Sequence, residues 1–143
     1  MTTPHLAELV PHAGSMCLLE QVLSWDESTV VAITKNHTDP QHPLRSGGRL
    51  AMVHLCEYGA QAMAVHGGLL AARDGQRAAP GLLVSLRDVT LVGGDLSMAG
   101  PTLQITASRL HGDSTGWQYA FKAEAGGHLL GEGRAAVVLR QSG

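Results

Sequence analysis

The chain has 143 residues, 44% of them hydrophobic, which is the length of one ordinary domain with enough apolar content for a core of its own. The formal charge is −2, and the basic residues are scattered, mostly arginines, with only Lys35 and Lys122 as lysines. No Lys/Arg stripe with interleaved aromatics is present, which argues against nucleic acid as a partner.

The elements read in order along the chain. Met-Thr-Thr-Pro-His at the N-terminus has neither the basic nor the apolar region of a signal peptide, so a cytoplasmic protein is expected. Cys17 and Cys56 both lie in apolar runs and read as buried free thiols rather than as a disulfide. Met16–Ser24 and Thr29–Lys35 read as two short strands around a turn at Asp26-Glu27-Ser28. A polar loop, Asn36–Gly48, follows, held extended by Asp39-Pro40 and His42-Pro43. Leu50–Arg73 is rich in Ala and Leu and nearly free of β-branched residues, which predicts one long helix. After Gly75–Pro80 come strands at Leu82–Val92, Thr102–Leu110, Trp117–Ala125 and Leu129–Arg140. Strict alternation marks two of them: Leu103, Ile105 and Ala107 on one face, and Trp117, Tyr119, Phe121 and Ala123 on the other strand's face. Gly93-Gly94 and Gly126-Gly127 are turn pairs, the second joining the last two strands. One apolar helix and six mainly antiparallel strands predict an α+β domain over residues 1–143, with the sheet wrapped around the helix.

The helix carries the chemistry. Leu50–Ala72 is about long enough to span a bilayer. His54, Glu57, Gln61 and His66 make it a poor span, so a buried core helix is expected. At 100° per residue, His54, Glu57, Tyr58 and Gln61 share one side of it. A carboxylate there must be paired, hydrogen-bonded or facing a cavity. Two readings stay open for Glu57: a structural carboxylate that caps a polar notch or pairs with an arginine, or the acid or base of a site built against the helix.

Val10-Pro11-His12, followed by Leu18, Leu19, Glu20 and Val22, resembles the N-terminal signature of the 3-hydroxyacyl-acyl carrier protein dehydratases. Glu57-Tyr58-Gly59-Ala60-Gln61-Ala62 is similar to that family's central-helix segment, His42-Pro43 to its His-Phe-Pro, and Gly131–Ala135 to its last strand. The stretch Glu57–Gly67 looks most like the divergent dehydratase-like proteins of aryl polyene pathways.

The resemblance implies a hot-dog fold and a homodimer or heterodimer, or a higher oligomer, with the active site shared between subunits. It implies dehydration of 3-hydroxyacyl thioesters to trans-2-enoyl thioesters on acyl carrier protein, with no metal or organic cofactor. His42 then corresponds to the base and Glu57 to the acid. Histidine suits the removal of an α-proton near neutral pH, and the departing hydroxyl needs a proton. N–H groups at the helix start near Leu50–Val53 are expected to stabilise the thioester oxygen. Met52, Val53, His54 and Gln61 are the candidate substrate contacts, and Arg45 and Arg49 the candidate docking groups for an acidic carrier protein.

The sequence departs from the family in having His-Pro without the intervening Phe, one extra position between His42 and Glu57, and Ala51-Met52 where Pro-Gly usually opens the helix. Two alternatives therefore stay open: a weakly active or non-catalytic partner of a related dehydratase, and a hot-dog thioesterase using the helix carboxylate alone. His54 reads as a helical neighbour of Glu57, with substitute base or metal ligand as lesser roles. A metal site with Glu57 and His66 is disfavoured because those two lie about half a turn apart around the helix. His12 reads as structural, and His5, His37, His111 and His128 as solvated.

Overall fold

Alternating strands bury one face only if something apolar covers it, and here that cover is the helix. The computed structural model describes residues 18–75, 81–113 and 115–139. Its strands are β1 (Gln21–Trp25), β2 (Thr29–Thr34), β3 (Gly81–Leu91), β4 (Leu103–Gly112), β5 (Gly116–Ala125) and β6 (His128–Leu139), with α1 (Leu55–Arg73) between β2 and β3. The sheet order is β1-β2-β4-β5-β6-β3, and every neighbouring pair is antiparallel. This is the hot-dog arrangement expected from the sequence. The N-terminal signature through Cys17, and residues 76–80 and 140, lie outside the described residues.

The predicted alternations hold. Leu103, Ile105 and Ala107 of β4 and Tyr119, Phe121, Ala123 and Ala125 of β5 are buried, facing Leu55, Tyr58, Ala62, Val65 and Leu69 of α1 in one core. Gly126 and Gly127, both at positive φ (57° and 79°), close the β5–β6 hairpin in the conformation that glycine adopts without strain. The approach of helix to sheet is set by the one phenylalanine. A methyl group at Gly59 of α1 would sit 2.7 Å from ring carbons of Phe121, and one at Gly133 of β6 would sit 3.1 Å from its far edge. The ring is thus sandwiched between two bare backbones.

Two element starts and one unpredicted turn depart from the sequence reading, and side-chain bonds to the backbone account for both starts. α1 starts at Leu55 rather than Leu50, after a 3-10 turn at Met52–His54. Leu50 is held back because its N–H donates to Asp95 Oδ1 (2.9 Å) and its carbonyl accepts from Leu96 N–H (2.7 Å). β1 starts at Gln21, since Leu18 gives its N–H and C=O to side chains (Gln61 and Asn36) instead of to a neighbouring strand. A 3-10 turn at Leu96–Met98, capped by Asp95, had no signal in the hydrophobic pattern.

His66 fastens the far end of α1. Its Nε2–H donates to the Asp26 carbonyl in the β1–β2 turn (2.9 Å), so Nδ1 accepts from the Tyr119 hydroxyl (2.9 Å). Tyr119 in turn accepts from Arg109 Nε–H (2.9 Å), whose guanidinium lies 3.5 Å over Trp117. His37, expected to be solvated, is fully buried: its Nε2–H donates to the Gly100 carbonyl at 2.6 Å. Cys56 is a half-buried free thiol whose pKa burial pushes up. β3 is an edge strand, and every residue from Ser85 to Thr90 is exposed. It is also bulged, with Asp88 at φ 54°. Among the described residues no helix is long and apolar enough to cross a membrane.

Two stability measurements follow. Gly59→Ala drives a methyl into the Phe121 ring and is expected to cost about 1–3 kcal/mol in urea unfolding. Phe121→Leu in the same chain should recover part of that loss, whereas additivity of the two changes would show that they do not share a contact. The second concerns acid. His37, His42 and His66 all have pKa values below the ordinary 6.5, chiefly because of burial. The unfolded chain takes up their protons near 6.5 and the folded chain only at lower pH. Stability is therefore full above 6.5 and falls as pH drops below it. Glu20, Asp26 and Asp95 are also lowered, by hydrogen bonds to backbone N–H groups, from 4.5 (Glu20) and 3.8 (both Asp), so their losses come at more acid pH. Thermal melting should thus begin to weaken as pH falls below 6.5, and His66→Gln should flatten that slope.

Candidate functional site

The loop between β2 and α1 is built to carry a buried imidazole. Arg45 organises it, donating through Nε to the Asp39 carbonyl (2.8 Å), through Nη1 to Gly48 (3.1 Å) and through Nη2 to His37 (3.4 Å). Gly47 and Gly48, both at positive φ, turn the chain between the paired residues Ser46 and Arg49. Inside this frame His42 is only 5% exposed. Its Nδ1 accepts from Leu44 N–H (3.1 Å), and its Nε2 lies 2.8 Å from the Tyr58 hydroxyl. Burial, then the charge of Arg45, lowers its pKa, so the ring is neutral at physiological pH.

From His42 a hydrogen-bonded seam runs to Glu57. Tyr58 donates to Asn36 Oδ1 (2.8 Å), Asn36 Nδ2 donates to the Leu18 carbonyl (2.7 Å), and Leu18 N–H donates to Gln61 Oε1 (2.8 Å). Gln61 Nε2 then donates to Glu57 Oε1 (3.3 Å). Tyr58 is fully buried, and burial pushes its pKa further above the ordinary 10.0, so its hydroxyl stays neutral. Glu57 is half-buried. The two candidate catalytic side chains are therefore joined by five hydrogen bonds within one chain, not by direct contact.

The remaining candidates separate. A cleft of about 280 Å³ beside the start of α1 is lined by Leu44, Ser46, Arg49, Ala51, Met52, His54 and Gly94. Arg49, Met52 and His54 thus meet at one opening. Val53 is 56% exposed, and neither it nor Glu57 lines the cleft. Gln61 is buried, its amide engaged by Leu18 and Glu57. Arg45 is engaged by three carbonyls of its own loop, whereas Arg49 is exposed. Leu50, expected to offer its N–H to a thioester oxygen, has that group taken by Asp95. Glu20 of the N-terminal signature clamps the end of β2, accepting from the Thr34 hydroxyl (2.8 Å) and from Lys35 N–H.

Tyr58 and Asn36 were not singled out as site residues by the sequence. Tyr58 carries a signal, since it shares the helix side of Glu57 and Gln61; Asn36 carries none, because its role depends on where the loop folds back. Among the described residues no three His, Cys, Asp or Glu side chains gather as a metal site.

No curated protein matches this chain. Among solved structures, the dehydratase heterocomplex ApeI:P from Xenorhabdus doucetiae is similar, with a TM-score of 0.87 and 22% identity over 97% of this chain and 93% of that one. A hypothetical thioesterase crystallised with coenzyme A, from Streptococcus pneumoniae, has a TM-score of 0.62 and 14% identity over 85% and 86% of the two chains. The Escherichia coli PaaI protein of the phenylacetic acid degradation operon has a TM-score of 0.63 and 14% identity over 85% and 80%. These likenesses establish the hot-dog fold. The family model described as ApeP-like, ApeP dehydratase, matches residues 4–142. Matched over nearly its whole length, the chain belongs to the ApeP-like dehydratase family.

Proposed function

We propose that this chain works in the dehydration of 3-hydroxyacyl thioesters on acyl carrier protein, as one subunit of a hot-dog dimer. The observation that carries the reading is the polar seam from His42 to Glu57 through an otherwise apolar core. It holds a neutral imidazole at one end and a carboxyl at the other, the two groups that an α,β-elimination requires. His42 takes the α-proton, the electron pair forms the Cα–Cβ double bond, and the β-hydroxyl leaves as water with a proton from Glu57. Exchange with solvent after product release, the imidazolium losing its proton and the carboxylate regaining one, resets the pair.

The separation of the two groups within one chain supports a site completed across a subunit boundary. The exposed, bulged edge strand β3, with Leu86 and Val89 uncovered and Val92 exposed just beyond its end, is the surface suited to a second hot-dog chain. The similar ApeI:P structure is itself a heterocomplex. A second reading has its own observation: both ring nitrogens of His42 are bonded inside the chain. That fits a subunit that shapes a partner's active site.

The test is absorbance of the conjugated enoyl product for the wild type, His42→Ala, Glu57→Gln and a mixture of the two variants. Each single variant should lose at least about 10²-fold, the low end for a positioned acid or base. The double variant should be little worse than either. Partial recovery on mixing the single variants marks a shared site. Release of free carrier thiol without enoyl formation, kept in His42→Ala and lost in Glu57→Gln, would favour a thioesterase, and activity only with a second hot-dog chain would favour the partner-subunit reading. For the carrier, Arg49→Glu should slow turnover of carrier-bound substrate by up to about 10-fold at low salt, and the deficit should shrink as salt rises. Arg45→Glu should instead lower the melting temperature, because it unties the loop, with a salt-independent loss of rate.

A further inference from the structure

The hydrogen-bond pattern around His42 fixes more than its place; it fixes which nitrogen can act. Asn36 Nδ2 donates to the Leu18 carbonyl, so the Asn36 amide has one orientation and presents only its acceptor oxygen to Tyr58. The Tyr58 proton must go to that oxygen. Its phenolic oxygen is then left to accept, and the group 2.8 Å away is His42 Nε2. The other nitrogen agrees independently: Leu44 N–H can donate to Nδ1 only if Nδ1 holds a lone pair.

From this geometry we infer that Tyr58, oriented by Asn36, is a positioning residue that holds His42 in the Nε2–H tautomer, leaving Nδ1 as the ring's only proton-accepting atom. The inference deepens the dehydratase reading and rests on it for its catalytic meaning. Nδ1 is bonded to the N–H of Leu44, a residue that lines the cleft with Met52 and His54. Nε2 faces the buried hydroxyl of a fully enclosed tyrosine. For Nδ1 to take a substrate proton, Leu44 N–H must release it. A shift of segment His42–Leu44 that keeps the Tyr58 bond would release it. The titratable and charged groups that act electrostatically on the ring are Arg45, His54, Asp39 and His37.

The tautomer is measurable without any activity. In the full-length protein labelled with ¹⁵N-histidine, long-range ¹H–¹⁵N spectra separate the two neutral tautomers, and His42→Gln assigns the signal. The wild type should show His42 as the Nε2–H form at pH 7, with its Nε2 proton exchanging slowly with water. Tyr58→Phe removes the acceptor but keeps the ring; it should speed that exchange and admit the Nδ1–H form. Asn36→Ala, a change in the loop that spares the core, should act in the same direction and serves if Tyr58→Phe folds poorly. Where the wild type dehydrates a 3-hydroxyacyl-carrier substrate, alone or with a partner subunit, Tyr58→Phe should lower kcat roughly 10-fold with KM within about twofold. It should also move the acid limb of the kcat/KM profile, which loss of packing alone does not do. A wild-type His42 in the Nδ1–H form overturns the inference. So does an unchanged His42 spectrum in both variants. Absence of dehydratase activity under every condition defeats the functional reading and leaves the tautomer result to decide the positioning on its own.

Discussion

A hydroxyl, an amide or an imidazole taken out of water costs several kcal/mol unless it finds a partner, and α1 turns three of them into the core. Tyr58, Gln61 and His66 are each 2% exposed or less, on a helix otherwise lined by Leu, Ala, Met and Val. Their partners decide where three separate segments lie. Tyr58 holds the His42 loop through His42 and Asn36; Gln61 holds the chain before β1 by Leu18 N–H; His66 holds the β1–β2 turn by the Asp26 carbonyl. Each pair fastens irregular backbone that has no ladder of its own. The helix works as a post to which the loops are tied, while the sheet provides the wall behind it.

Such ties favour specificity over raw stability. A helix with leucines at these positions would bury more apolar surface, but nothing would then choose among ways of laying the loops across it. The acid sensitivity of the fold comes from the same ties. An imidazole accepted in the core as a neutral donor–acceptor cannot gain a proton without losing one of its partners, as His66 would lose the Tyr119 hydroxyl. The residue that makes the loop geometry definite also makes it depend on pH.

Where the sequence was readable, the physics was local. β4 and β5 announce themselves because one buried face forces a period of two, and the Gly126-Gly127 hairpin because positive φ selects glycine. The apolar segment at Leu18-Leu19 looked like strand because it is buried, yet its backbone bonds to side chains that come from 18 and 43 positions away. Leu50 looked helical by composition and is extended, since Asp95, far along the chain, claims its N–H. His37 looked solvated amid polar neighbours and is enclosed, because the Gly100 carbonyl arrives from beyond β3. Of the site, Glu57 and Gln61 stand out as polar residues in an apolar helix. Asn36 cannot, because an asparagine in a polar loop has the same local signature whether it meets water or a buried tyrosine.

The seam also explains why one chain holds its two candidate groups apart. A carboxyl and an imidazole in direct contact would form an ion pair by exchanging a proton, and the imidazole would no longer be a base. Neutral links keep that proton from moving. The Leu18 residue in the middle contributes its N–H to one side and its C=O to the other, and these belong to different peptide groups. No continuous path for a proton therefore runs through it, and only orientation is transmitted. Each group keeps its own protonation state while sharing a backbone support with the other. A substrate that meets the imidazole of one subunit and the carboxyl of another would then join, at the reacting carbons, two groups that the fold keeps electrically independent until it arrives.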